Sequence, residues 1–166
     1  NAFTGERGRD TVHQTCAALA DALGISADQI LLASTGVIGE PLEPAKLSAY
    51  FPQLVANQSA TWEQAAGAIL TTDTFPKGAH ITCDIDGLSV NICGIAKGSG
   101  MIAPNMATML AFIFTDFATD KKTLSTMAKK AVQESFNRIS VDGDTSTSDT
   151  VFVATTNKKG LELTKD

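Results

Sequence analysis

The chain reads as an α+β protein in which helices and strands alternate. Three observations predict this: apolar residues recur at helical spacing as far as Leu70, the period changes to two from Ala79, and a last amphipathic run gives way to another short β-rich stretch.

Val12, Cys16, Leu19 and Leu23 repeat at helical spacing, and Gly24 follows where a left-handed cap belongs, predicting a first helix. Residues 29–33 form a short apolar run ending at Ser-Thr-Gly, which is expected to be a buried strand delivering a turn. Residues 44–56 carry Leu47, Phe51, Leu54 and Val55 on a helical pattern that Pro52 should disturb. Thr61, with Gln64 three positions on, has capping-box form and opens an Ala-rich third helix. Ile81, Cys83 and Ile85 then alternate with polar positions, Asp86-Gly87 follows, and Leu88, Val90 and Ile92 alternate again. That pattern predicts a hairpin with a type I′ turn. Residues 108–114 are expected to be the next strand. Leu124, Met127, Ala131 and Val132 mark a helix that should stop at Asn137 or Arg138, and residues 151–154 return to strand.

Composition removes several function classes. The 166 residues carry 13 Lys plus Arg against 18 Asp plus Glu, a net charge of −5, and no basic run that would make nucleic acid a partner. Cys16, Cys83 and Cys93 are odd in number and form no C-x-x-C pair, which argues against a disulfide framework or a zinc site and for a reducing compartment. No apolar run approaches the ~20 residues of a membrane span, and the N-terminus lacks a signal-peptide core, so the reading is a soluble chain with no membrane partner. Because it opens on NAFTGERG rather than Met, it is read as a fragment or processed product.

The richest segment is KGSGMIAPNMATML, residues 97–110. Cleavage between Ala107 and Thr108 would put a nucleophilic hydroxyl and a free α-amine on one residue. Such an amine titrates near pH ~8, so part of it is available at neutral pH to take the hydroxyl proton. Without cleavage, Thr108 is an ordinary β-branched strand residue.

In STGVIGE, the Thr35 hydroxyl and Gly36 N–H are candidates to face a developing negative charge, as an oxyanion hole requires; otherwise the glycine only relieves a turn. TTDTFPK presents Thr74 to a small polar ligand, or is a plain loop. Lys97 places a cation beside flexible backbone, suited to a carboxylate; because it precedes its glycines, no P-loop is formed. VDGDTSTSDT is dense in carboxylates but lacks the EF-hand glycine. His13 and His80 stand too far apart in the pattern to suggest a metal pair.

ASTGVIGE, TTDTFPK, KGSGMIAPNMATMLAFIFTD and VDGDTSTSDT, in this order, resemble the ornithine acetyltransferase family, also called glutamate N-acetyltransferases. The likeness covers almost the whole chain. NAFTG also fits, although cysteine often stands in the family where this chain has Phe3.

The resemblance implies an αββα sandwich, with mixed sheets between helical layers, of which this chain is part. It implies a self-cleaving precursor in which residues 1–107 belong to the α chain and residues 108–166 to the β chain, the two together building one domain. Thr108 would then carry acetyl from N-acetylornithine to glutamate, with Thr35 and Gly36 as oxyanion hole and Thr74, Lys97 and Thr108 contacting substrate. Some members also take acetyl-CoA as donor, and none needs a metal or prosthetic group. An α2β2 heterotetramer is implied, in cytoplasm or, in eukaryotes, in the mitochondrial matrix or plastid. A glutamate and an Asn-Thr or Asn-Ser pair that complete the family pocket lie beyond Asp166, so this stretch alone is expected to be inactive. Two rivals to the transferase are an N-terminal-nucleophile aminopeptidase of similar fold and a non-catalytic binding or assembly domain.

Overall fold

The computed structural model describes residues 1–100, 109–144 and 146–160. The chain packs as two units, Asn1–Thr61 and Trp62–Asp166.

The first unit is built on α1, Gly5–Leu23. The helix buries Thr15 and Ala20, whereas of the predicted apolar positions Cys16 and Leu19 are half-buried and Val12 and Leu23 are exposed; Gly24 closes it in the left-handed conformation (φ 67°), its N–H returning to the carbonyls of Ala20 and Asp21. The expected helix at 44–56 forms as two pieces that pack on α1: α2, Pro44–Ser48, and α3, Phe51–Ala56. Pro44 and Pro52 each sit in a first turn, where a missing N–H costs nothing, so Pro52 starts a new helix instead of kinking an old one. Phe51 is the large buried side chain of this unit.

The strand expected at 29–33 is absent. Ala27–Gln29 is a 3₁₀ turn, closed by Gln29 Oε1 accepting from Ser26 N (3.0 Å), and residues 30–36 carry no ladder. Leu31 is 71% exposed. A strand exists only against a partner, and the described residues of this unit supply helices and turns only.

The second unit is a mixed four-stranded sheet with helices, as the α+β reading expects. α4, Trp62–Ala68, is the predicted Ala-rich helix and packs against β1, Lys77–Ile85, and β2, Leu88–Lys97. The hairpin turn is type I′: Asp86 (φ 52°) and Gly87 (φ 82°) both lie in the left-handed region between the closing pair Ile85 and Leu88. β3, Leu110–Phe117, pairs antiparallel with β2, and β4, Thr150–Lys159, pairs parallel with β3. A parallel neighbour needs a crossover, which α5, Lys121–Glu134, provides. Asp120 caps α5 by accepting from the N–H groups of Lys122 (2.8 Å) and Thr123 (3.0 Å). The helix ends at Glu134, short of the stop expected at Asn137 or Arg138, and a 3₁₀ turn at Phe136–Arg138 follows. Phe112 and Phe152 face each other across β3 and β4, and Trp62 of α4 lies against Phe114.

At the far end of the sheet, the Asp116 carboxylate takes over from the β2–β3 ladder. It accepts from Asn91 N and Nδ2 (2.8 Å each) and from Lys159 Nζ (3.0 Å), tying three strands together. The Asn91 hydrogen bonds, first the side chain and then the backbone, with help from Lys159, hold the carboxyl down to about 2 from 3.8. The unfolded chain therefore binds this proton more tightly. The stabilisation is complete above pH 3.8, declines as pH falls, and is lost below about 2. Unfolding midpoints measured from pH 2 to 6 should show a shallower acid limb in Asp116→Asn than in the parent; identical limbs would refute this assignment.

Candidate active site

The C-terminal end of β2 meets the loop after α4 in a buried polar cluster. Strand alternation places Lys97 on the face that carries Ile95, and its side chain enters the interior, leaving the residue 2% exposed. Its Nζ donates to Thr71 Oγ1 (3.3 Å). Burial pushes the Lys97 ammonium below its ordinary range, while nearby Asp73 and Asp149 pull it back up.

Asp73 binds the two segments together. One of its carboxylate oxygens accepts from Gly98 N (2.7 Å) and from Lys77 Nζ, and the latter also lies over the Phe75 ring. Burial alone would raise the Asp73 carboxyl, but the Lys77 and Gly98 hydrogen bonds outweigh it and the group is held below its usual value. Thr72 Oγ1 and Ser99 Oγ, 2.9 Å apart, form a further link. The TTDTFPK loop is thus fastened to Lys97, Gly98 and Ser99.

A second carboxylate holds Met109, just ahead of β3. Asp149 Oδ1 accepts from Met109 N (2.7 Å), and Thr150 N donates to Met109 O (3.0 Å) as the parallel β3–β4 pairing begins. Burial raises the Asp149 carboxyl, against the opposing pull of the Met109 N–H and Lys97. Its Oδ2 is buried with no hydrogen-bond partner, as is Asp73 Oδ2.

In the first unit, Thr35 and Gly36 lie in extended chain ahead of the turn at 37–39. The segment is held by residue 1: Ser34 Oγ accepts from Asn1 N (3.0 Å) and Asn1 Nδ2 donates to Glu40 O (2.8 Å). A Cβ at position 36 would stand 2.5 Å from Asn1 Oδ1, so a larger residue there would force the Asn1 side chain to move. Thr35 is half-buried and Gly36 exposed. Thr74 is exposed in the bend before Pro76. Ala107 and Thr108 lie outside the described residues.

Residues 1–166 match the model of the ArgJ family. The chain belongs to that family. Among curated relatives, the arginine biosynthesis bifunctional protein ArgJ of Bartonella henselae is 49% identical over 162 residues, covering 97% of this chain and 40% of its own length. The namesake from Rhizobium meliloti is 48% identical, covering 94% of this chain and 38% of its own length. The chain therefore spans about two fifths of these relatives. A 2.00 Å crystal structure of the arginine biosynthesis bifunctional protein from Bacillus halodurans aligns with a TM-score of 0.53 at 36% identity, over 63% of this chain and 55% of that one.

Within this ArgJ-family chain, the structure adds Thr71, Asp73 and Asp149 to the residues singled out from sequence. Asp73 sits between the hydroxyls of TTDT, and Asp149 is the last but one residue of VDGDTSTSDT, so both were visible as carboxylates in motifs. What sequence lacks is the pairing of each with a backbone N–H far along the chain, at Gly98 and Met109.

Proposed function

We propose that this chain is part of an acetyltransferase of arginine biosynthesis that moves acetyl from N-acetylornithine to glutamate through an acetyl-threonine intermediate. The observation that carries the reading is the family match over residues 1–166, with relatives named arginine biosynthesis bifunctional proteins. The precursor cleaves itself between Ala107 and Thr108. Thr108 Oγ then attacks the acetyl carbonyl carbon, and its α-amine takes the hydroxyl proton and returns one to the departing ornithine amine. The glutamate amine attacks the resulting ester, releasing N-acetylglutamate and restoring the hydroxyl in a ping-pong cycle. Thr35 and Gly36 donate to the oxyanion, an interaction whose loss typically costs about 10²- to 10³-fold in rate.

Lys97 and Thr74 contact the substrate, Lys97 at the α-carboxylate common to ornithine and glutamate. In support, Lys97 is a desolvated cation whose bond to Thr71 Oγ1 is long, at 3.3 Å, so exchanging that hydroxyl for a carboxylate loses little. The reaction needs no metal or prosthetic group, acetyl-CoA can replace N-acetylornithine as donor, and the working form is an α2β2 heterotetramer in the cytoplasm.

Incubating the full-length protein with N-acetylornithine and recording intact mass tests this. The expected product is one acetyl group on a fragment that begins at Thr108. An uncleaved chain, or release of free acetate with no adduct and no N-acetylglutamate, would point to a binding domain or to an amidohydrolase instead.

A further inference from the structure

The buried Lys97 ammonium feels two carboxylates that are held in different ways. Lys97, Leu110 and Thr150 form one row across β2, β3 and β4, and Asp149 immediately precedes the end of that row, so its charge acts on Lys97 from the β4 side. Asp73 acts from the β1 side. One Asp73 oxygen accepts from both Gly98 N (2.7 Å) and Lys77 Nζ, whereas the bond that Asp149 Oδ1 accepts among the described residues comes from Met109 N (2.7 Å). Asp149 Oδ2 is buried with no hydrogen-bond partner there, a costly place for negative charge. Lys77 and Lys97 balance Asp73 and Asp149. A substrate carboxylate docked on Lys97 adds a fifth charge, and one desolvated ammonium then serves two anions, the ligand and Asp149. Like charges that share such a site do not both stay ionised, because each raises the other's affinity for a proton.

We propose that Asp149 takes up one proton from solvent when the substrate α-carboxylate docks on Lys97, so that the bound site holds the ligand as the anion and Asp149 as the neutral acid. This rests on the Lys97 contact proposed above. The proton belongs on Oδ2, since Oδ1 already accepts the Met109 N–H, and it turns an oxygen without a partner into a donor. Asp149 yields before Asp73 does. Burial raises both carboxyls, but at Asp73 the Lys77 and Gly98 hydrogen bonds reverse the shift, while at Asp149 the Met109 hydrogen bond and Lys97 do not. Other charged groups of this unit stand apart from that balance: Asp116 and Lys159 pair at the far end of the sheet, Asp142 lies near Gly100 on the loop that leads to Asp149, and Lys121 and Lys129 of α5 line a groove with Val151, Phe152 and Val153. Because the proton is gained on binding, affinity is fullest below the bound-state value of Asp149. It falls as pH rises through that value, by at most about tenfold per pH unit.

The test is calorimetric titration of L-ornithine into the full-length protein at pH 6, 7 and 8, each in two buffers of different ionisation heat, which counts the protons exchanged. Asp149→Asn keeps an acceptor for the Met109 N–H and stands in for the neutral acid. The parent should take up about 0.5 to 1 proton more than this variant at one or more of these pH values, a difference that cancels any contribution from the ligand's own amines. The variant should bind with level affinity across the range and about 3- to 30-fold more tightly than the parent at pH 8. 1,4-Diaminobutane, which is ornithine without its carboxylate, should show no such difference. Equal proton uptake in parent and Asp149→Asn overturns the proposal, and so does a parent whose affinity falls with pH no faster than the variant's. A merely structural Asp149 would change affinity and leave that slope alone. Lys97→Met, checked by a thermal melt, controls the underlying reading: ornithine binding as tight as the parent's there, or no binding by the parent, removes the Lys97 contact itself. Binding that is lost in Lys97→Met but draws no extra proton in the parent removes only the Asp149 step.

Discussion

Replacing Thr108 by alanine in the full-length protein is expected to leave one uncleaved chain and to lower acetyl transfer by at least about four powers of ten. The two losses have one cause. In the proposed mechanism, the hydroxyl that attacks the Ala107 carbonyl during maturation is the hydroxyl that later accepts the acetyl group, and the α-amine proposed as base does not exist until the bond is broken. Serine should restore part of both functions, because it supplies the same oxygen without the β-methyl that restricts χ1. Mass spectrometry gives the state of the chain, and formation of N-acetylglutamate gives the rate. A Thr108→Ala protein that is cleaved, or that turns over normally, would end the proposal; one that is uncleaved yet active would show that the chain works without an N-terminal nucleophile.

Asp73→Ala should produce the largest loss of stability in the second unit, roughly 3–5 kcal/mol in urea unfolding. The Asp73 side chain is fully buried and bonds Gly98 N and Lys77 Nζ, so its removal strands a buried N–H and leaves the cations Lys77 and Lys97 with less opposing charge. The cluster is tolerable because its two ammonium groups and two carboxylates, Asp73 and Asp149, balance; taking out one member breaks that balance. Asp73→Asn, which retains an acceptor for Gly98 N, should lose about half as much. A midpoint unchanged by Asp73→Ala would mean that water or rearrangement satisfies these groups at no cost. Because Asp73 lies between Thr72 and Thr74 and fastens their loop to Lys97 and Gly98, the same variant should also weaken substrate binding if Lys97 meets the α-carboxylate.

Local signals specified much of the second unit. The period-two runs around Asp86-Gly87 define the hairpin and its turn, since only one register puts both residues at positive φ between Ile85 and Leu88. The apolar spacing of α1 and its Gly24 cap were equally readable. The expected strand at 29–33 shows the limit of such signals. An apolar run states that side chains prefer to leave water, but a strand also needs a neighbouring edge, and the described residues of that unit offer none.

Candidate chemistry divided in the same way. Motif order along the chain was enough to recognise the family and to choose Thr35, Gly36, Thr74, Lys97, Ala107 and Thr108 as the residues to test, because residue types and their spacing are written in one dimension. The partners of those segments are not. That Lys97 donates to Thr71, that Asp73 holds Gly98, and that Asp149 holds Met109 40 positions away depend on β1 lying beside β2 and β3 beside β4. Hydrogen bonds and desolvation act over a few ångströms of space whatever the separation along the chain, so only the folded arrangement decides which carboxylate meets which amide.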